Sequence, residues 1–175
     1  MKLGDVIFDD IPLFHGLPAT AQDKIRDIFD IHPVDAGENL ITEGEEGDEM
    51  FILVKGRVRI TKSMLMPGMN LPILEVDNQR KVLATMDHAN HPIFGEIALI
   101  DHETRSATIL VLEPSFFLRT NRARFFELVE REPIIGNILL MALTKRMATT
   151  IRKSNRELIK LSTALALALS RYNKP

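Results

Sequence analysis

Apolar positions along the chain change period twice, and the changes divide it into three stretches. From Pro18 to about Ile31, Ile25, Ile28 and Phe29 recur at helical spacing, and Pro18 suits a first turn, so a short helix is predicted. From Val34 to Val111 and just beyond, the period shortens. The runs ENLITEG, MFILVKGRVRITK, KVLATM, SATILVLEP and FFLRT alternate with Gly, Asp, Asn and Pro, and each predicts a short strand. Gly37, Gly44, Gly47 and Gly56 mark turns that need positive φ or close approach. After Thr120 the helical period returns. TNRARFFELVERE has Thr120 or Asn121 as N-cap and Pro133 just past its end, and a longer helical pattern runs from about Ile134 to Tyr172.

This order predicts a mainly β fold with flanking helices: an antiparallel β-roll or jelly-roll barrel (a double-stranded β-helix), then a long C-terminal helix. Residues 1–133 hold the roll with its N-terminal helix and short post-barrel helix, and residues 134–175 form the long helix of the same domain. That helix carries a seam. Leu140, Met147, Ser154, Leu161 and Ala168 fall seven apart, as do Thr144, Ile151, Leu158, Leu165 and Tyr172, which is the a/d pattern of a coiled coil. At 1.5 Å per residue the helix runs roughly 55–60 Å, more than a compact roll covers. The uncovered part needs a partner, and a second copy of the chain is expected, making the long helix a dimerisation helix.

Composition narrows the function classes. The 175 residues carry 22 basic and 24 acidic side chains, a formal net charge of -2 that argues against a nucleic-acid footprint. No Cys is present, so disulfides, zinc thiolate sites and iron–sulfur clusters are excluded. The N-terminus lacks an apolar core suited to a signal peptide, and LSTALALALS is too short to span a bilayer; a cytoplasmic protein without a membrane partner is expected. His88 and His91 lie three apart in what reads as a turn, with no Cys or further carboxylate nearby, and no metal or haem is expected there. No Ser stands in a nucleophile-elbow context, so no enzyme is expected.

The chemistry gathers in FGEIALIDHETRSAT, Phe94 to Thr108. Gly95 admits a close backbone approach, and EIAL forms one helical turn. Arg105 presents a planar fork of donors matching paired phosphate oxygens, and Ser106 adds a hydroxyl and an N–H. Glu96 repels a phosphate, so it suits a hydrogen-bond donor such as a sugar hydroxyl. A ligand with one phosphate charge and one free ribose hydroxyl satisfies these groups. The plainer alternative is that Glu96 and Arg105 form an ion pair closing a β-loop; the expected burial of Phe94, Ile97, Ala98 and Leu99 speaks against it, because buried charges need specific partners.

FGEIAL followed by RSATILV resembles the phosphate-binding cassette of the cyclic-nucleotide-binding domain family, which includes bacterial catabolite activator proteins and regulatory subunits of cyclic-nucleotide-dependent kinases. LITEGEEGDEMFILVKGRV, Leu40 to Val58, resembles the family's first signature, and PLFHGLP is similar to its N-terminal segment; the resemblance spans roughly Ile11 to Arg156. It implies that Arg105 and Ser106 hold the cyclic phosphate and that Glu96, beside Gly95, accepts from the ribose 2′-hydroxyl. Ile97, Ala98 and Ala107 belong to the same cassette, and Ile52 and Val58 would wall the pocket or, alternatively, be plain core. Ser154 and Asn155 fall where the long helix of the activators reaches the purine, with Thr149 and Thr150 as backup. The implied ligand is cyclic AMP, with cyclic GMP the alternative, and no cofactor.

Two departures stand out. The family's usual Gly-Asp turn before the cassette is replaced by Asn90, His91 and Pro92, and the connection SMLMPGMNLPILEVDNQR is long and Met-rich, suiting an extended hairpin or flap or, equally, a poorly ordered loop. After SRYNKP there is no room for the helix-turn-helix module of the activators, so the expected output is a stand-alone sensor signalling through its long helix to an unidentified downstream protein. The alternative is a scaffold or partner-binding dimer that kept the fold and lost the ligand.

Overall fold

The computed structural model describes residues 1–63 and 80–172. Six antiparallel strands build the roll: β1 (Asp30–Val34), β2 (Asn39–Ile41), β3 (Glu49–Ser63), β4 (Arg80–Asp87), β5 (Ile93–Phe94) and β6 (Thr108–Asn121). Their order is β1-β6-β3-β4, with β2 also on β6 and β5 on β3. One face gathers Phe51, Leu53, Val58, Phe94, Val111 and Phe117 inside the roll. The other face packs Met50, Ile52 and Leu118 against Phe8, Ile25, Phe125 and Leu139 of the helical segments. The mainly β roll with flanking helices predicted from the pattern is the architecture observed.

The two strands predicted as SATILVLEP and FFLRT are one strand, β6. The ladder with β3 steps from Arg57–Glu113 to Lys55–Phe116 and passes over Pro114, which has no amide hydrogen to give. Opposite the step sits Gly56 at φ 111, where a Cβ would come within 2.0 Å of Ser115 Oγ. This bulge reverses the alternation of β3, so odd-numbered Leu53 and even-numbered Val58 share the interior.

The helix predicted over residues 18–31 is shorter. A 3-10 turn (Ala19–Ala21) leads into α1 (Gln22–Arg26). By Asp30 the chain is already β1, not first at Val34, with Asp30 opposite Arg119 and Val34 opposite Ser115. Ile28 and Phe29 are buried as their spacing requires, but strand pairing overrides local helix propensity. Further on, α2 (Glu96–Asp101) follows β5, and α3 (Arg122–Arg131) takes Asn121 as its N-cap, whose side chain accepts from the Arg124 amide at 3.0 Å. Pro133 both follows α3 and opens α4 (Pro133–Tyr172).

Helix α4 has 40 residues, about 60 Å of helix. By length and apolar content alone it passes for a membrane span. Its first half, however, places Ile135, Leu139 and Leu143 in the core. From Thr149 to Ser170 every residue is exposed. The Met-rich connection between Ser63 and Arg80 lies outside the described residues.

Candidate functional site

Arg105 is placed by its backbone before its side chain does anything. Its amide donates to Glu45 O and its carbonyl accepts from the Gly44 amide, both at 2.9 Å, which fastens the cassette to the loop before β3. The side chain is 6% exposed. Nη1 donates to the Glu49 carbonyl at 2.7 Å, and Nη2 lies 3.8 Å from Glu49 Oε2. Two glycines leave room for it. A Cβ on Gly47 would sit 2.7 Å from both Nε and Nη2; one on Gly95 would sit 2.6 Å from Nη1 and 2.4 Å from Glu49 O. Gly95 also holds φ 78, a left-handed conformation that favours glycine. Burial pulls the Arg105 pKa below the ordinary arginine value, while Glu49 and Asp48 act in the opposite direction. Among the described residues, Nε and Nη2 make no hydrogen bond.

Glu96 opens α2, largely buried, with its side chain 14% exposed. Burial pushes its carboxyl above the usual carboxylate range, and the Arg146 guanidinium partly opposes that shift. Arg146 reaches in from α4. Its Nη2 donates to Ile93 O at 2.9 Å, and its Nε lies 3.7 Å from Glu96 Oε1, an ion-pair distance too long for a hydrogen bond. That Nε is buried without a hydrogen-bond partner among the described residues. Glu96 and Arg105 are therefore not each other's counter-ions among the described residues: Glu96 faces Arg146, and Arg105 faces Glu49. The simple ion pair that would have made the segment structural is not what the fold forms.

The end of α2 is held by Arg122 of α3, whose Nη1 donates to the carbonyls of Leu99 and, at 2.7 Å, Ile100. The guanidinium also lies over the Phe126 ring, 4.6 Å from its centre. Before the cassette, His91 takes a left-handed conformation (φ 42). Its Nδ1 contacts Leu53 O at 3.2 Å. The altered turn is thus made, and β5 still pairs with Phe51 and Ile52.

The structure brings Gly95 against Arg105 and buries Phe94, Ala98 and Leu99 as expected. Ile97, expected to be buried, is 38% exposed, because six residues of α2 have only one face to bury. Ser106 is exposed and Ala107 half-buried. The Ser106 carbonyl accepts from Lys62 Nζ at 2.7 Å. Val58 lies inside the roll, but Ile52 faces the helices and walls no pocket on the inner side. Ser154 and Asn155 are exposed on α4, as are Thr149 and Thr150. Ser154 and Asn155 make no hydrogen bond or ion pair to the cassette among the described residues. The sequence pattern does not single out Glu49, Arg146 or Arg122, whereas Gly47, expected to need positive φ or close approach, is a close-approach position against the Arg105 guanidinium. The period-2 pattern of β3, which sets Glu49 on the face of Phe51 and Leu53, was the one available signal. Elsewhere, a cavity of about 290 Å³ lies between α1 and α3 over Ile28 and Leu128. The Lys24–Glu132 and Arg131–Glu127 pairs stand at its rim, and none of its lining residues belongs to the cassette.

The family described as Cyclic nucleotide-binding domain matches residues 31–132. Human cGMP-dependent protein kinase 2 is 35% identical over 103 residues, 59% of this chain and 12% of that protein. The Cyclic AMP receptor protein of Thermus thermophilus is 26% identical over 136 residues, 78% of this chain and 57% of that protein. The crystal structure of the Thermus thermophilus Catabolite Activator Protein superposes with a TM-score of 0.68 at 26% identity, covering 86% of this chain and 63% of that one. The chain thus corresponds to a part of each of these proteins.

Proposed function

Because this chain belongs to the cyclic nucleotide-binding domain family, we propose that it is a regulatory sensor that binds a cyclic mononucleotide in the cassette and reports occupancy through α4. The observation that carries the reading is the Arg105 guanidinium, buried between Gly47 and Gly95 with its Nε/Nη2 edge unbonded among the described residues. A cyclic phosphodiester supplies paired oxygens and one negative charge to that edge, and Ser106 adds its hydroxyl. Glu96 accepts from the ribose 2′-hydroxyl beside Gly95, and Ala98, Ile97 and Ala107 complete the cassette. The purine is met by Ser154 or Asn155 of α4, which the exposed seam from Ile151 to Leu165 carries into a homodimer.

The route to α4 runs through Arg146. A ribose hydroxyl on Glu96 changes the field that Arg146 feels, so ligand biases how α4 packs on the roll. Relatives are named for both cyclic AMP and cyclic GMP; the Arg-Ser-Ala run, like that of the bacterial activators, favours cyclic AMP. A thermal-shift screen with cyclic AMP, cyclic GMP and cyclic dinucleotides tests the reading. A ligand present at a hundredfold its dissociation constant adds about 2.7 kcal/mol of stability. No shift with any of them would overturn the sensor and leave a partner-binding dimer of the same fold.

A further inference from the structure

The cassette carries more negative charge than an anion site needs. Among the described residues, one guanidinium, that of Arg105, is buried at its centre. The Glu49 carboxylate stands 3.8 Å from the unbonded Nη2 of Arg105. Glu49 is not free to swing away at no cost, because its other oxygen lies 3.7 Å from Arg119 Nη1. Arg119 is 4.0 Å from Asp30, which in turn pairs with Arg124 of α3. Glu49 therefore sits between two arginines on the inner face of the roll. An anion taking a hydrogen bond of about 2.9 Å from Nη2 lies within about 7 Å of the Glu49 carboxylate, closer than a Debye length of roughly 8 Å at physiological salt.

We propose that Glu49 is a specificity-determining residue that sets the charge of the ligand: it tolerates a singly charged cyclic phosphodiester at Arg105 and disfavours a doubly charged phosphomonoester. This rests on the proposed ligand class. One guanidinium balances one negative charge at Arg105; a second negative charge on the ligand then lies near Glu49, while the neighbouring cation, Lys62, is already engaged with the Ser106 carbonyl and paired with Glu43. The nucleotide produced by opening the ring of a cyclic nucleotide is such a monoester, so Glu49 lets the site tell the signal from its hydrolysis product. A phosphomonoester loses its second proton near pH 6, so the selectivity is a property of neutral and alkaline solution.

The test is isothermal titration of the full chain and of Glu49→Gln and Glu49→Asp with cyclic AMP, cyclic GMP and the matching 5′-monophosphates, at pH 8 and pH 5.5. At pH 8, Glu49→Gln is expected to strengthen binding of the monoester more than of the cyclic ligand and to narrow their affinity ratio by roughly five- to tenfold. Glu49→Asp keeps the charge and is expected to keep most of the ratio. At pH 5.5, where the monoester is mostly singly charged, the two ratios should converge. An unchanged ratio in Glu49→Gln, or an equal narrowing in Glu49→Asp, overturns the role of Glu49 alone. Wild type that binds no cyclic nucleotide overturns the ligand class and this role with it.

Discussion

The two halves of α4 have similar apolar content and opposite fates. In the first half, Leu139 is 1% exposed and packs with Phe125, Ile25 and Leu118. In the second, Leu161 is 60% exposed, and Leu158, Leu165 and Leu169 join it in solvent. The first half has the roll beneath it, and Arg146 ties it to Ile93 and Glu96. The second is exposed from Thr149 to Ser170, with Lys81 of β4 near enough to act on Glu157 through its charge. One half of the helix is packed against its own chain; the other presents a heptad face that is uncovered among the described residues. The site lies at the attached end, where a change in the packing of α4 has the whole free length to move.

The largest expected effect is at the attached end. Arg105→Ala should weaken cyclic-nucleotide binding by roughly 2–5 kcal/mol, because a charged ligand group loses its buried partner. Isothermal titration checks this, and equal affinity in both proteins would remove Arg105 from the proposed role. Leu139→Ala should cost about 2–5 kcal/mol of unfolding free energy, whereas Leu161→Ala in dilute protein should cost less than about 0.5 kcal/mol. Urea melts at low concentration read this contrast directly; a large loss at Leu161 would mean that the free half is already covered. The paired substitution Leu158→Asp and Leu165→Asp should abolish self-association in sedimentation equilibrium and leave the melting of the dilute chain almost unchanged.

The smallest effect sharpens the link between the halves. The fold raises the Glu96 pKa above its ordinary 4.5, so the folded state favours the protonated form. Stability from that proton is fully present below pH 4.5 and is lost as pH rises through the folded value. Glu96→Gln is neutral throughout, so it should melt higher than wild type near pH 7.5, with the difference closing as pH falls toward 4.5. A difference that grows on acidification would reverse the assignment. If Arg146 is the link, Arg146→Gln should also make α4 less responsive to ligand, measured by hydrogen exchange along the helix.

Much of this was legible in the chain itself. Period-2 runs located β2, β3 and β4, an N-cap and a proline bracketed α3, and two glycine-bearing signatures located the cassette. What failed did so for tertiary reasons. Ile25, Ile28 and Phe29 have helical spacing and are all buried, yet pairing with β6 makes the chain a strand from Asp30. Pro114 reads as a strand break, yet the bulge at Gly56 lets β6 run through it. Glu96 and Arg105, close in sequence, look like partners; the fold gives each a partner from elsewhere, 50 residues away for Arg146 and 56 for Glu49.

The order of apolar periods alone determined a roll with helices at both ends and the excess length of α4, because these follow from local spacing and the fixed rise of a helix; the position of the cassette came from the resemblance of its motif. Only the folded chain decided which charges meet. The pairings of Arg105 with Glu49 and of Glu96 with Arg146 depend on side chains brought to within 4 Å by strand register and helix packing, and no local pattern encodes a distance between segments so far apart in the sequence.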